Sequence, residues 1–478
     1  MKNCVFIAKC KKMIVKACRE NVNLVETICN KVEKDVLLHE TNESTMKMKY
    51  NIATCLFLLL MLLTGCGEDR TYEYLELTQE NQWIYEKMQD VYLWNDYIQK
   101  PSRQKFFGKG STFFQSLLLK DDKFSQFADS AISTSYGMNY AIMRDPLGIQ
   151  KSKTYALVLF VEPGSPAANA GLKRGDWITK IGKNTLTTSN YGYLDRGNAA
   201  SVFTSRIVLD EESMEYVWQD GDTLQMGAAT TLSLCDVCVD TIYSQRGRKI
   251  GYLVCNGFSA DGKEAIVSSM EKFKEQNIDE LIIDLRYNRG GSVSVAAEAA
   301  SMVVPAQNVG GTFCKLAYNS LNSDRDTIYK YVQTNTLSLD KVYIICGADT
   351  RGASEAFIAA LRTTLGYNNV TLIGETTAGE YVAIETIESP YNFSISPATA
   401  FVEDGNGEVL YGEGIIPAYK MDELSDFYRI YNLGNTQEYM LYNTIYYIVN
   451  GSFPSYEVAS KVNVSSRNLP AYGKSISR

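Results

Sequence analysis

Three short stretches of the chain hold the residue types that acyl transfer uses: paired glycines, a helix start and an ionisable side chain. Residues 282–291 read Ile-Ile-Asp-Leu-Arg-Tyr-Asn-Arg-Gly-Gly, an apolar strand running into a polar turn. Gly290 and Gly291 there either let backbone amides approach a ligand or simply make the turn. Residues 350–355 read Thr-Arg-Gly-Ala-Ser-Glu and open an apolar segment, 353–365, with the pattern of a helix. A helix N-terminus presents free amides and partial positive charge, which suits a nucleophile or an anion. Gly352 has no side chain to attack with, and Ser354 points about 200° away from it around a helix. Residues 374–380 read Gly-Glu-Thr-Thr-Ala-Gly-Glu. Glu380 is able to accept a proton, but an anion beside oxyanion-stabilising amides opposes the charge that must develop there. Arg289 precedes the glycine pair and Arg351 precedes Gly352. Either is a candidate to pair with Glu380, because a carboxylate in a closed site needs a cation. Three unrelated surface charges is the competing reading.

Together these stretches resemble the C-terminal processing (tail-specific) peptidases. That family writes them Asp-Leu-Arg-x-Asn-x-Gly-Gly, Thr-Ala-Ser-Ala-Ser-Glu and Gly-Glu-x-Thr-x-Gly-Lys. The resemblance implies a nucleophilic serine at the position of Gly352 and a general-base lysine at that of Glu380. It also implies an oxyanion hole from Gly290, Gly291 and the amide of Ala353. Both members of the catalytic pair are thus substituted. From Thr363 through Tyr419 the sequence holds no Lys or Arg, so no shift of alignment restores a base. A Ser-Lys pair needs a lysine made neutral by burial, and none is available. The reading is a proteolytically inactive homologue that binds peptide or protein C-termini. The alternative is an active serine-type endopeptidase with a relocated nucleophile such as Ser354. Relatives with this core and no peptidase activity include retinoid-binding proteins of the eye, so a small apolar ligand also stays open.

The elements that must position these residues read as mixed α/β. From Lys249, short apolar strands alternate with helical segments at 263–276, 295–304 and 353–365, which predicts a mainly parallel sheet covered on both faces. The family resemblance implies a ClpP/crotonase-like spiral ββα core. Upstream, 136–243 is β-rich. Its Pro163-Gly164-Ser165-Pro166-Ala167-Ala168 and Gly171-Leu172-Lys173-Arg174-Gly175-Asp176 resemble a bacterial PDZ domain. PDZ domains add a peptide as a strand and receive its carboxylate on backbone amides, here those of Gly137, Met138, Asn139 and Tyr140. A PDZ fold kept only as a spacer or lid is the alternative.

The expected organisation is an upstream extension (1–45), a lipoprotein signal (46–65), and a tether with a helical N-terminal region (66–135). The PDZ domain (136–243), peptidase-like core (244–420) and a C-terminal helical segment packed on the core (421–478) follow. Within the third part, a polar tether is expected over 68–77, a helix from Thr78 carrying Ile84, Met88 and Val91, and a second helix over 113–119. Met46-Lys47-Met48-Lys49, an apolar run at 55–63 and Leu63-Thr64-Gly65-Cys66 have the form of a secretory signal. The ending resembles a lipobox, which implies acylation at Cys66 and a bacterial outer membrane lipoprotein, periplasm-facing or on the cell surface.

Composition limits the remaining chemistry. The chain has 478 residues, 45% apolar and 21% charged, which fits a folded multidomain protein. A net charge of −8 argues against a nucleic-acid partner. His39 is the only histidine and is lost with the signal segment, so no Ser-His-Asp triad or His-containing zinc site is expected. No metal or other cofactor is expected. Cys235 and Cys238 have CxxC spacing, but strand geometry would point them to opposite faces, and packing roles are expected.

Overall fold

The computed structural model describes residues 71–129, 134–149, 153–409, 411–455 and 464–467. The expected signal segment and Cys66 lie outside them. Internal contacts divide the chain into Met1–Leu75 and Glu76–Arg478, and the second unit carries almost everything described.

The N-terminal region opens with α1 (Thr71–Val91) and α2 (Gly110–Gln115). No Gly or Pro interrupts 71–77, so the helix begins at Thr71 rather than Thr78, and the expected tether is helical from that point. Ile84 and Met88 are fully buried on one face, with Phe113 and Phe114 from α2. They pack on Phe393 and Ile395 of the core, and Trp83 and Trp94 stand edge-on to Phe393 and Phe401. Each buried side chain of this size stabilises by about 1.5–3 kcal/mol. The buried Ile84, Met88, Phe113 and Phe114, with the half-buried tryptophans against them, therefore fix this region to the core. Strand β1 (Gln126–Ala128) joins it to the core by pairing antiparallel with residues 394–396.

The PDZ sheet is built from β2 (Met138–Arg144), β3 (Thr154–Val161), β4 (Trp177–Ile181), β5 (Asn184–Thr185), β6 (Ala200–Asp210) and β7 (Glu215–Met226). All neighbours are antiparallel, in the order β2-β3-β4-β6-β7 with β5 on β4. Between β3 and β4 lies the single-turn α3 (Pro166–Asn169), with Pro166 in its first turn and Ser165 capping the Ala168 amide at 3.1 Å. Alternation along the strands serves two cores. Tyr140, Ile142 and Val158 point into the domain, while Ala141, Met143, Leu157 and Trp177 face Tyr287, Leu424 and Phe427 of the peptidase-like part.

That part contains β8 (Val237–Gln245), β9 (Arg248–Cys255), α4 (Lys263–Glu275), β10 (Glu280–Asp284), α5 (Val293–Ser301), β11 (Thr312–Tyr318) and β12 (Thr327–Lys330). It continues with β13 (Val342–Cys346), α6 (Ala353–Leu365), β14 (Val370–Gly374), β15 (Val382–Ile384), β16 (Ile387–Glu388), β17 (Ser394–Ser396), β18 (Ala398–Glu403) and β19 (Tyr419–Lys420). The central sheet runs β19-β14-β13-β10-β9-β8, parallel except for the β8–β9 hairpin. Helices α4, α5 and α6 cover one face, and α7 (Tyr439–Asn450) covers the other. Along β13, Val342 and Ile344 meet the first cluster while Tyr343 and Ile345 meet the second, which is why these strands read as continuous apolar runs.

Two expected boundaries move. β8 pairs with β9 through a tight turn in which Arg246 and Gly247 both have positive φ, the turn a two-residue hairpin prefers. It is thus a strand of the core, and the PDZ sheet closes at Met226 instead of continuing to 243. The C-terminal segment also divides: α7 packs on the core as expected, but β20 (Val464–Arg467) pairs with β2 of the PDZ sheet.

Candidate active site

The site forms where β10 and β13 end and α6 begins. After Asp284 the chain turns through Asn288, whose buried side chain donates to the Cys255 carbonyl at 3.0 Å and accepts the Gly290 amide at 2.9 Å. Gly291, at φ +127°, sits so close to the Phe258 carbonyl that a Cβ there would lie 2.5 Å from its oxygen. Only glycine fits. The Asn288 carbonyl in turn accepts the Arg351 amide at 3.2 Å and the Ser354 hydroxyl at 3.4 Å. These two bonds place the glycine turn against the helix start, so residues distant in sequence share one site.

Thr350 is fully buried and donates to the Leu285 carbonyl at 2.7 Å, anchoring the approach to α6. Gly352 then occupies the N-cap at φ +59°, ψ −120°. Ala353 starts the helix, and among the described residues the amides of Gly291 and Ala353 have no partner. The Gly290 amide, expected in an oxyanion hole, is instead taken by the Asn288 side chain. Ser354 has no exposed surface, and its hydroxyl is directed at the Asn288 carbonyl.

Glu355 organises the third stretch, a role the sequence reading missed although the residue stands in the quoted motif. Its buried carboxylate accepts the amides of Gly379 and Glu380 at 2.7 Å each, the Gly352 amide at 3.2 Å and the Thr377 hydroxyl. Burial raises its pKa, and these four donors pull it back. The Gly352 bond is half of a capping box whose other half needs a side chain that glycine lacks. The Ala378 amide closes the loop on the Thr350 carbonyl at 3.0 Å. Glu380 is thereby held at the site, 3% exposed, close enough to add to the upward shift of the Tyr411 phenol behind burial, Glu355 and Cys314. Arg351 turns toward Asp349, with 3.9 Å between guanidinium and carboxylate, and Arg289 lines the cleft beside Gly290.

This cleft runs between the PDZ sheet and the core. Asn139, Phe160 and Glu162 line one side and Phe258, Arg289 and Gly290 the other. The structure therefore brings a residue of the expected carboxylate loop and one of the expected oxyanion turn into the same opening. Of that loop, Gly137, Met138 and Tyr140 are buried within the domain, and Tyr140 donates to Asp195 at 2.9 Å. Glu162 is pushed up to about 7 by burial, with Asp236 adding to the shift and the Cys235 amide opposing it. Cys235 precedes β8, so the expected opposite-face geometry does not hold. The two thiols are free: Cys235 donates to the Val237 carbonyl at 2.9 Å and Cys238 to the Cys235 carbonyl at 3.0 Å, and the neighbouring Cys238 side chain lowers the pKa of Cys235. Among the described residues no group of three or more His, Cys, Asp or Glu is placed to hold a metal.

A second feature went unread in the sequence. Arg174, in the Gly-Leu-Lys-Arg-Gly-Asp turn of the PDZ domain, reaches into the core. It pairs with Glu423 at 3.3 Å and Glu438 at 3.1 Å, and Arg286 pairs with Asp284 at 2.8 Å and Glu438 at 2.8 Å. Tyr287 donates to Glu423 at 2.6 Å. All are buried, and Glu438 also accepts the Leu441 amide at the start of α7. Arg286 and then Arg174 hold the Glu438 carboxyl below its ordinary range against the cost of burial.

A glycine-turn and helix-start site on a parallel sheet, with an antiparallel domain across the cleft, defines a peptidase-type α/β protein carrying a PDZ domain. Residues 249–421 match peptidase family S41, 79–126 its N-terminal domain and 158–204 a PDZ domain. A crystal structure of an S41 protease from Bacteroides fragilis superposes with a TM-score of 0.69 and 27% identity, covering 77% of this chain and 97% of that one. A CtpA-like serine protease of Staphylococcus aureus is 24% identical over 72% of this chain and 66% of its own length. A carboxyl-terminal-processing protease of Picosynechococcus is 25% identical over 54% of this chain and 59% of its own. The chain thus spans somewhat under two thirds of the curated relatives it matches. It belongs to the S41, or C-terminal processing protease, family.

Proposed function

We propose that the protein is a catalytically silent S41 homologue that binds peptide or protein C-termini through its PDZ domain and the former active cleft. The observation that carries this reading is the site itself: Gly352 holds the helix-start position with no side chain, and Glu380 is clamped at the base position by Glu355. The hydroxyl of Ser354 is buried and directed at the Asn288 carbonyl, which supports a packing role. In this reading Glu380 is neutralised by Arg289 or Arg351, and the amides of Gly291 and Ala353 receive a ligand carboxylate. The family and the PDZ domain both fit recognition of a chain end.

The same proposal holds the protein to the bacterial outer membrane by acylated Cys66, a reading that rests on the lipobox-like Leu63-Thr64-Gly65-Cys66. Calorimetry and mass spectrometry with peptides ending in apolar residues test the function together. Saturable binding with no product supports it, whereas cleavage abolished by Ser354→Ala overturns it.

A further inference from the structure

The free edge of the PDZ sheet is not open. β20 pairs antiparallel with β2, matching Val464 to Met143, Ser466 to Ile142 and Arg467 to Ala141. β2 is the terminal strand of the domain proper, with β3 on its other side. An edge of this kind presents a row of amides and carbonyls that will pair with any extended chain. It is also the strand that leads out of the Gly137 turn, and so the edge on which a PDZ domain adds its peptide. The register runs the tail toward that turn, the direction of an antiparallel peptide whose end reaches the turn amides.

We infer that the segment Val464–Arg467 is a resident intramolecular ligand of the peptide-binding edge of the PDZ domain, and that an outside peptide must displace it. The inference deepens the peptide-binding reading and rests on it. One edge accepts one strand, so the two ligands exclude each other. The resident strand is suited to displacement for two reasons. Its described pairing is short and broken by an irregularity between Ile142 and Met143. In addition, the chain continues past Arg467 to Arg478, so the paired segment does not itself end in a carboxylate. Its advantage is tethering, which supplies a high effective concentration without strong contacts. An outside peptide with a free carboxylate brings contacts that this segment lacks.

The test compares the full chain with Ser466→Pro, which removes a backbone donor from the tail strand alone, and with a chain ending at Ser455. Hydrogen exchange over Met138–Arg144 is read without peptide, and anisotropy is read with a short labelled peptide ending in Ala-Leu-Val. Faster exchange in both variants, with peptide affinity raised about tenfold, is the expected result if the tail is docked about nine-tenths of the time. Unchanged exchange over β2 in both variants overturns the inference, whatever the peptide does. Faster exchange with no peptide bound by any form upholds the tail contact and instead contradicts the peptide-binding reading.

Discussion

Gly352 does more than omit a hydroxyl. Its backbone lies at φ +59°, ψ −120°, a region that L side chains rarely adopt. An active nucleophile at this place stores strain of about 1–3 kcal/mol, and glycine relieves it. Gly352→Ser is therefore expected to lower stability by about 1–3 kcal/mol in urea unfolding, without producing turnover, because Glu380 still occupies the base position. Glu355→Ala is expected to be worse. It strips the acceptor from buried donors at Thr377, Gly379 and Glu380, each worth about 1–3 kcal/mol when left unpaired. The sum is expected to exceed that of the glycine change in the same melt. The substitutions at Gly352 and Glu380 were legible in the sequence because they interrupt recognisable motifs. The clamp was not, since it depends on a loop that reaches Glu355 only once the sheet has formed.

At the scale of elements, the strands and helices of the core follow from period and from turn residues. β9 starts, and α4 and α6 stand, within a residue of where the pattern puts them. The sequence pattern places β8 with the PDZ domain because alternation reveals a strand but not its partner, whereas the Arg246–Gly247 turn joins it to β9 of the core. The end of the tail is a similar case: nothing in Val-Ser-Ser-Arg announces a partner in β2. Between the two domains Glu162 gives this interface a pH dependence. Its folded value of about 7 lies above the ordinary 4.5, so its contribution is full below about 4.5 and is lost as pH rises through about 7. Relative to Glu162→Gln, the wild type is expected to lose on the order of 3 kcal/mol across that window. Chemical denaturation at a series of pH values reads the difference directly; a constant gap would reject it.

Over the whole molecule, the PDZ domain is fixed to the core by an apolar face and by the buried charges around Arg174. Removing one partner from such a group leaves the others buried without compensation, at about 3–5 kcal/mol. Arg174→Met is thus expected to lower the thermal midpoint and to separate PDZ unfolding from that of the core. Arg174→Lys is expected to rescue little, because an ammonium cannot replace a planar fork that meets Tyr287, Glu423 and Glu438 together. In the proposed reading, the cleft between the PDZ domain and the glycine turn of the core serves as a receptor for chain ends. The most direct test of that account is intact-protein mass spectrometry after incubation with a fluorophosphonate, which labels activated serines. The account predicts no adduct on the full chain. A stoichiometric adduct mapped to Ser354, or to any other serine of the cleft, would contradict it.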